Sequence, residues 1–407
     1  MKIIVIGSIS SGMTLAERLA AGENAEIILY EKEQFCSCGT KGLPHYLGLK
    51  ADELGEVLSG CTLSARNGSI HTGWEAVAVD AAKRTVTLRA AETGESVTEA
   101  YDKLVLATGS RSIPLEAEGA GRMGVHPLSR VEDLMLLREF LRTPYVRDIA
   151  VLGGGLAALE TAGAFQALGR EVQVIDCGQG LLPGFDGEVR AAIQRELEDR
   201  GLRFHLGERV TAVEGRTFIE TLRTDRGSYP CDLCVPCLGT RPETGLLPEA
   251  ARDLEGRYLV DCDGRTSLPG VYAAGSCAAA REGGEPTVCA SIAGLEVART
   301  GLTQEAAVQR GLHPVGVTAS GQDRTGLVPN AGVVTVKLVL EGASRKVLGA
   351  QIWGGADSAA RINAVAVAVQ AGMTAEELAK TRFVTNTAVH AALDPIQLAC
   401  AAAKAEG

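Results

Sequence analysis

The chain has 407 residues, 46% hydrophobic and 22% charged, with 40 basic against 50 acidic side chains and a net charge of −10. That length suits two or three domains, that balance excludes extended disorder, and the acidic excess excludes a general nucleic-acid binder. Aromatic residues, 4% of the total, leave few platforms for stacked bases, and no apolar run approaches the ~20 residues that cross a bilayer.

In chain order, residues 2–6 form an apolar strand entering the turn Gly7-Ser8-Ile9-Ser10-Ser11-Gly12. The opening is too short for a signal peptide and carries no cleavage site. A helix over residues 13–21 follows, then a second strand over 27–30 that ends on Glu31. Residues 104–106 are a further strand, running into Ala107-Thr108-Gly109-Ser110. The first pattern then returns: a strand over 149–152, the turn Gly153-Gly154-Gly155, a helix to about Leu168, and a strand over 172–175 ending on Asp176. In such a βαβ unit, glycines admit a pyrophosphate to the helix N-terminus, and the acid closing the second strand accepts hydrogen bonds from a ribose. Asp176 is followed by Cys177, Gly178 and Gln179, with no cation for a 2′-phosphate, which favours NADH over NADPH.

Farther along, Cys231, Cys234 and Cys237 imitate a metal motif. They lie before Gly239-Thr240-Arg241-Pro242 on a strand, whose side chains alternate faces, so packing and no metal is the expectation. Gly270-Val271-Tyr272-Ala273-Ala274-Gly275-Ser276 is another strand entering a small-residue turn. A helix is expected over 291–300, with Cys277 and Cys289 as packing residues before it, and an Ala-rich packed helix over 362–371. Eleven cysteines without framework spacing point to a reducing, cytoplasmic setting.

The paired turns, Ala107-Thr108-Gly109, Ala273-Ala274-Gly275-Ser276, Leu348-Gly349-Ala350-Gln351 and Asp394-Pro395 together resemble the FAD- and NAD(P)-dependent pyridine nucleotide-disulfide oxidoreductases. The nearest branch holds coenzyme A disulfide reductase, NADH peroxidase and NADH oxidase, and the resemblance spans essentially the whole chain. It implies an α/β fold with two Rossmann-like dinucleotide-binding domains and a C-terminal α+β dimerisation domain, assembled as a homodimer. The implied boundaries are 1–112 for the first part of the FAD domain, 113–242 for the NAD domain, 243–325 for the FAD domain resumed and 326–407 for dimerisation. FAD would then lie on Gly7 and Gly12, with Glu31 and Lys32 at the adenosine ribose and Thr108, Gly109 and Gly275 close by. Ser276 stands where the family has the Asp that holds the flavin ribitol. NADH would lie on Gly153, Gly155 and Asp176, with Gly239 at the exit from that domain. The helix over 291–300 would face its N-terminus toward the flavin pyrimidine.

Two further departures bear on chemistry. Ser10 replaces the catalytic histidine of the peroxidase and oxidase relatives, which disfavours peroxide reduction. In Cys36-Ser37-Cys38-Gly39-Thr40-Lys41-Gly42-Leu43-Pro44, an ungapped match puts Lys41 at the redox-cysteine position, whereas a gapped one puts Cys38 there. On a helix, Cys38 and Lys41 share a face, and the ammonium favours a thiolate. Glutathione-reductase-like members pair such a lysine with a glutamate, whose place Glu160 matches. Cys36 is a possible second redox partner of Cys38. His390, with Asp394 four residues on, is a candidate proton donor to a leaving thiol. The resulting expectation is an NADH-dependent flavoenzyme that reduces a small-molecule disulfide, persulfide or polysulfide through Cys38. The alternatives are an electron-transfer reductase serving a small redox protein, similar to rubredoxin and ferredoxin reductases, and a flavin-binding regulator.

Overall fold

The computed structural model describes residues 1–7, 9–21, 24–34, 42–49, 53–55, 68–281, 285–325, 328–329, 331–384, 386 and 390–405. They fall into two compact units. The first comprises Met1–Glu116, His126–Pro144 and Cys237–Gly283; the second comprises Ala117–Val125, Tyr145–Pro236 and Gly284–Gly407. The fold is α/β, with a parallel sheet of the dinucleotide-binding kind in each unit and an antiparallel sheet with helices at the C-terminal end.

In the first unit, five parallel strands are ordered Val271–Ala273, Lys103–Ala107, Lys2–Gly7, Glu26–Glu31 and Gly68–Thr72. The central strands read as unbroken apolar runs because both faces are covered. Ile4, Ile28, Leu104 and Leu106 pack on one face with Tyr258, while Ile3, Val5, Leu29 and Val105 pack on the other with Met13, Leu15 and Ala16. An antiparallel meander, Trp74–Asp80, Thr85–Ala90 and Ser96–Ala100, adds a second layer. Since all five strands of the main sheet run the same way, Gly7, Glu31, Ala107 and Ala273 end at one edge, where ligands of such sheets bind.

In the second unit, four parallel strands are ordered Arg203–Leu206, Glu171–Asp176, Asp148–Leu152 and Leu233–Pro236. A five-stranded antiparallel sheet follows, ordered Val288–Ile292, Leu295–Gly301, Val347–Gly354, Val333–Glu341 and Pro314–Gln322. One face of that sheet, with Val334, Val336, Leu338 and Leu340, is covered by Ile362 and Val365 of helix Ser358–Gln370 and by Ile396 and Ala399 of helix Pro395–Ala405.

The helix expected over 291–300 is instead a hairpin, and this corrects the sequence reading. Ile292 pairs with Leu295 across Ala293 and Gly294, whose φ angles are 48° and 76°. Two successive positive φ values make the tight turn that matches strand twist. Ala290, Ile292, Leu295 and Val297 are buried while Cys289, Ser291 and Gly294 are exposed, the alternation of a half-covered strand pair. Cys289 is therefore a surface residue, not the packing residue expected.

Candidate functional site

Each parallel sheet builds a cradle at its strand ends. In the second unit, strand Asp148–Leu152 gives way to Gly153 at φ 114°, whose N–H donates to the Ile175 carbonyl at 2.8 Å. Gly155 caps the twelve-residue helix Leu156–Ala167, and the space where its Cβ would stand is open. The start of that helix thus has room beside Gly155, and a helix N-terminus with room before it is the setting in which a phosphate binds. The carboxylate of Asp176 lies 2.5 Å from where a Gly154 Cβ would be, so only glycine lets the acid lean over the turn. The segment after Asp176 folds back, and Leu182 N–H donates to the Gly154 carbonyl at 2.7 Å. Gly239, by contrast, lies in the first unit, at φ 97°, with its carbonyl accepting from Ile113 N–H at 3.0 Å.

The first unit repeats the design with closer packing. At Gly7, φ is 101° and a Cβ would run into the Ala107 carbonyl; at Gly12 it would come within 2.7 Å of Val5 Cγ1 and 2.8 Å of Ala107 Cβ. Residues Ile9–Met13 form a π-turn before the seven-residue helix Thr14–Ala20. Glu31 is 7% exposed and its carboxylate accepts Glu33 N–H at 3.2 Å. Burial raises its pKa, against the opposing pull of the Glu33 and Lys32 backbone donors. A ribose offering two hydroxyl donors would relieve that desolvation. Lys32 itself is exposed. Thr108 Oγ1 donates to the Glu243 carbonyl, and Gly109, at φ 68°, has open space at its Cβ position. A Cβ on Gly275 would come within 2.6 Å of Ser11 Oγ, so the Gly275–Cys277 turn abuts the first glycine turn. Ser276 is exposed there. These cradles fit two dinucleotides, the first more completely at its adenosine end than at the end where Ser276 stands.

The chemistry-bearing candidates divide. Cys36, Cys38 and Lys41 lie outside the described residues. Just after them, the short helix Leu43–Tyr46 is anchored by Arg138, which donates to the carbonyls of Tyr46 at 2.7 Å, Leu47 at 3.0 Å and Leu49 at 2.6 Å. Glu160 faces the hairpin, accepting Ser291 N–H at 3.1 Å. His390 places Nε2 3.0 Å from Asp394 Oδ2 and Nδ1 3.2 Å from the Ala391 carbonyl. Asp394, fully buried, also takes Arg361 Nε at 3.0 Å and caps the last helix through Ile396 N–H at 2.8 Å. The spacing of His390 and Asp394 was visible in the sequence; Arg361, on an Ala-rich helix, gave no signal.

Cys231 and Cys234 are buried, and burial pushes the Cys231 thiol up to about 12, which suits packing. Cys277 is buried with Sγ directed at the Leu106 and Ala274 carbonyls. Among the described residues, no helix is long and apolar enough to cross a membrane, and no three His, Cys, Asp or Glu side chains group as metal ligands.

Comparison with known proteins agrees with this geometry. The profile of the pyridine nucleotide-disulphide oxidoreductase family matches residues 1–307, and that of its dimerisation domain matches residues 287–392. An NADH oxidase of Streptococcus pyogenes is 27% identical, over 93% of this chain and 94% of its own. An NAD(P)H coenzyme A polysulfide/persulfide reductase of Pyrococcus horikoshii is 25% identical, over 92% of each. The solved NAD-dependent persulfide reductase of A. fulgidus superposes with a TM-score of 0.89 at 26% identity, covering all of this chain and 83% of that one. The chain belongs to the pyridine nucleotide-disulphide oxidoreductases and is an enzyme of that family, an oxidoreductase with FAD and NADH as its cofactors.

Proposed function

We propose that this enzyme is a cytoplasmic homodimer that uses NADH to reduce a small disulfide, persulfide or polysulfide through the thiolate of Cys38. The observation that carries the reading is the cradle at Gly153–Gly155: an open helix N-terminus beside Asp176, with Cys177, Gly178 and Gln179 following instead of a cation. The resemblance to persulfide and polysulfide reductases supports the sulfur chemistry, and Ser10, in place of a histidine, turns it away from peroxide. A cytoplasmic setting follows from the same proposal, because a working thiolate needs reducing surroundings.

In this mechanism Gly7, Gly12, Glu31, Thr108, Gly109, Gly275 and Ser276 hold FAD, with Lys32 at the rim. Gly153, Gly155 and Asp176 hold and orient NADH, and Gly239 belongs to the passage between the domains. FAD, when bound, supplies the relay that accepts a hydride from NADH and passes on the electron pair. Cys38 attacks one sulfur of the substrate as thiolate, so that a Cys38–sulfur bond forms as the sulfur–sulfur bond breaks. The departing thiolate takes a proton from His390. Two electrons from NADH then cleave the mixed disulfide, restoring the Cys38 thiolate and releasing the second product as a thiolate, which takes up the proton left from the hydride. Lys41 stabilises that thiolate, and Glu160 is proposed to hold Lys41 in place. His390 has both ring nitrogens engaged, so it serves the leaving thiol by giving up the Ala391 carbonyl.

The test is anaerobic NADH titration of the wild type beside Cys38→Ser. A long-wavelength charge-transfer band in the wild type alone is the expected result. Identical spectra would remove Cys38 from the mechanism and leave a small redox protein as the electron acceptor.

A further inference from the structure

Asp186, ten positions after Asp176, belongs to a buried polar network. Asp186, Lys337 and Gln351 are 1%, 2% and 0% exposed. Lys337 and Gln351 sit directly opposite each other on neighbouring strands of the antiparallel sheet. Asp186 is the N-cap of helix Gly187–Asp199. Lys337 Nζ donates to Asp186 Oδ2 at 2.7 Å and also reaches Glu188. Gln351 grips Asp186 twice, donating from Nε2 to the carboxylate and accepting Asp186 N–H at 2.7 Å. The same carboxylate accepts the N–H groups of Gln304 at 3.1 Å and Glu305 at 3.0 Å. Burial works to raise this carboxyl, but hydrogen bonds from Lys337, from the Glu305 and Gln304 backbone and from Gln351 outweigh it and hold it below its ordinary range.

Asp186 closes the segment that begins at Asp176. Between them, Leu181 and Leu182 are buried, and Leu182 holds φ 52° to place its N–H on the Gly154 carbonyl. Phe185 N–H turns back to the Leu182 carbonyl at 3.1 Å, and Arg299 covers the Phe185 ring at 6.0 Å. A left-handed leucine costs of order 1–2 kcal/mol and persists only where its surroundings over-determine it. Here the surroundings are the glycine turn at one end and the buried carboxylate at the other.

We infer that Lys337 and Gln351 are positioning residues for NADH: through Asp186 they pin the segment after Asp176 against Gly154 and so hold the ribose-binding carboxylate in place. The antiparallel sheet thereby sets how tightly the neighbouring cradle holds its nucleotide. This rests on the reading of Gly153–Asp176 as the NADH site.

The experiment compares wild type, Lys337→Met, Gln351→Leu and the double variant Asp186→Asn with Lys337→Met, each as the FAD-loaded protein. KM for NADH and kcat are measured with a dye acceptor, and NADH binding is measured by calorimetry. Lys337→Met is expected to raise KM for NADH tenfold or more, with kcat within about twofold, because it leaves Asp186 buried without its cation. Gln351→Leu, which keeps the ion pair, is expected to raise KM about threefold. The double variant, which removes both charges together, recovers part of the loss. A lowered thermal midpoint with unchanged KM in the single variants would overturn the inference and leave the network a stabilising contact. Should Lys337→Met fail to fold, Gln351→Leu decides the matter in the same way. Absence of NADH binding in the wild type would instead overturn the parent reading of the site.

Discussion

The two cradles share a plan and differ in where their glycines spend their freedom. In the first unit, Gly7 and Gly12 are wedged against Ala107, so a side chain there meets the protein. In the second, Gly155 opens on empty space, so a side chain there meets no protein atom within 4 Å. The glycines of the first turn answer to packing, as Gly154 does beside Asp176, whereas Gly155 leaves room that the packing does not use. The acids differ likewise: Glu31 is buried and shifted upward by desolvation, whereas Asp176 stays partly open beside an exposed Cys177.

Substitution should separate these two uses of glycine, and here the largest effect is expected. Gly7→Ala forces a Cβ onto a backbone carbonyl at φ 101°, a strain of about 3 kcal/mol or more that nothing nearby can relieve. Its thermal midpoint should fall by several degrees and the purified protein should carry little FAD. Gly155→Ala, at φ −81°, should leave the midpoint unchanged and raise KM for NADH about tenfold or more. Equal loss of stability in both variants would end the distinction.

The acids supply the next contrast. If Asp176 holds the ribose as proposed, Asp176→Asn should weaken NADH binding about tenfold or more, with the flavin content intact. Glu31 has a second consequence. Its carboxyl is raised above the ordinary value of 4.5, so the folded state favours the protonated form. The stability this contributes is present below pH 4.5 and is lost as pH rises through the raised value. Near neutral pH the FAD-free protein therefore bears the cost of a desolvated carboxylate, and Glu31→Gln should raise its thermal midpoint while weakening FAD. Thermal melts of FAD-free wild type and variant across that range check the sign: a midpoint that falls would show Glu31 to be a net stabiliser even without ribose.

What the sequence revealed and what it hid follow the distance over which the physics acts. Both βαβ turns were legible because glycine at positive φ and an unbroken apolar strand are local demands, satisfied at Gly7 and Gly153 by the residue itself. The His390–Asp394 contact was legible because it spans one helical turn's worth of chain. The Lys337–Asp186 pair was not, since its partners are 151 positions apart and a lysine on an alternating strand reads as a solvated one. Arg138, which carries the Leu43–Tyr46 helix from 92 positions away, was hidden for the same reason.

The smallest predicted effect is the most discriminating, because its sign depends on the secondary structure. The stretch 291–300, expected as a helix, pairs as a strand because the neighbour Val347–Gly354 offers a ladder, Glu160 accepts Ser291 N–H, and the Ala293 backbone packs closely on Gly163. Were it helical, replacing the mid-helix Gly294 by alanine would stabilise the protein by about 1 kcal/mol. In the hairpin, Gly294 sits at φ 76° and its added methyl would lie 3.2 Å from the Arg200 guanidinium, which already donates to the Ala293 carbonyl at 3.0 Å, so both the left-handed backbone and that contact oppose the change. Gly294→Ala should therefore destabilise by about 1 kcal/mol. Urea denaturation with an unchanged m-value gives the sign directly, and a stabilised variant would return the segment to the expected helix.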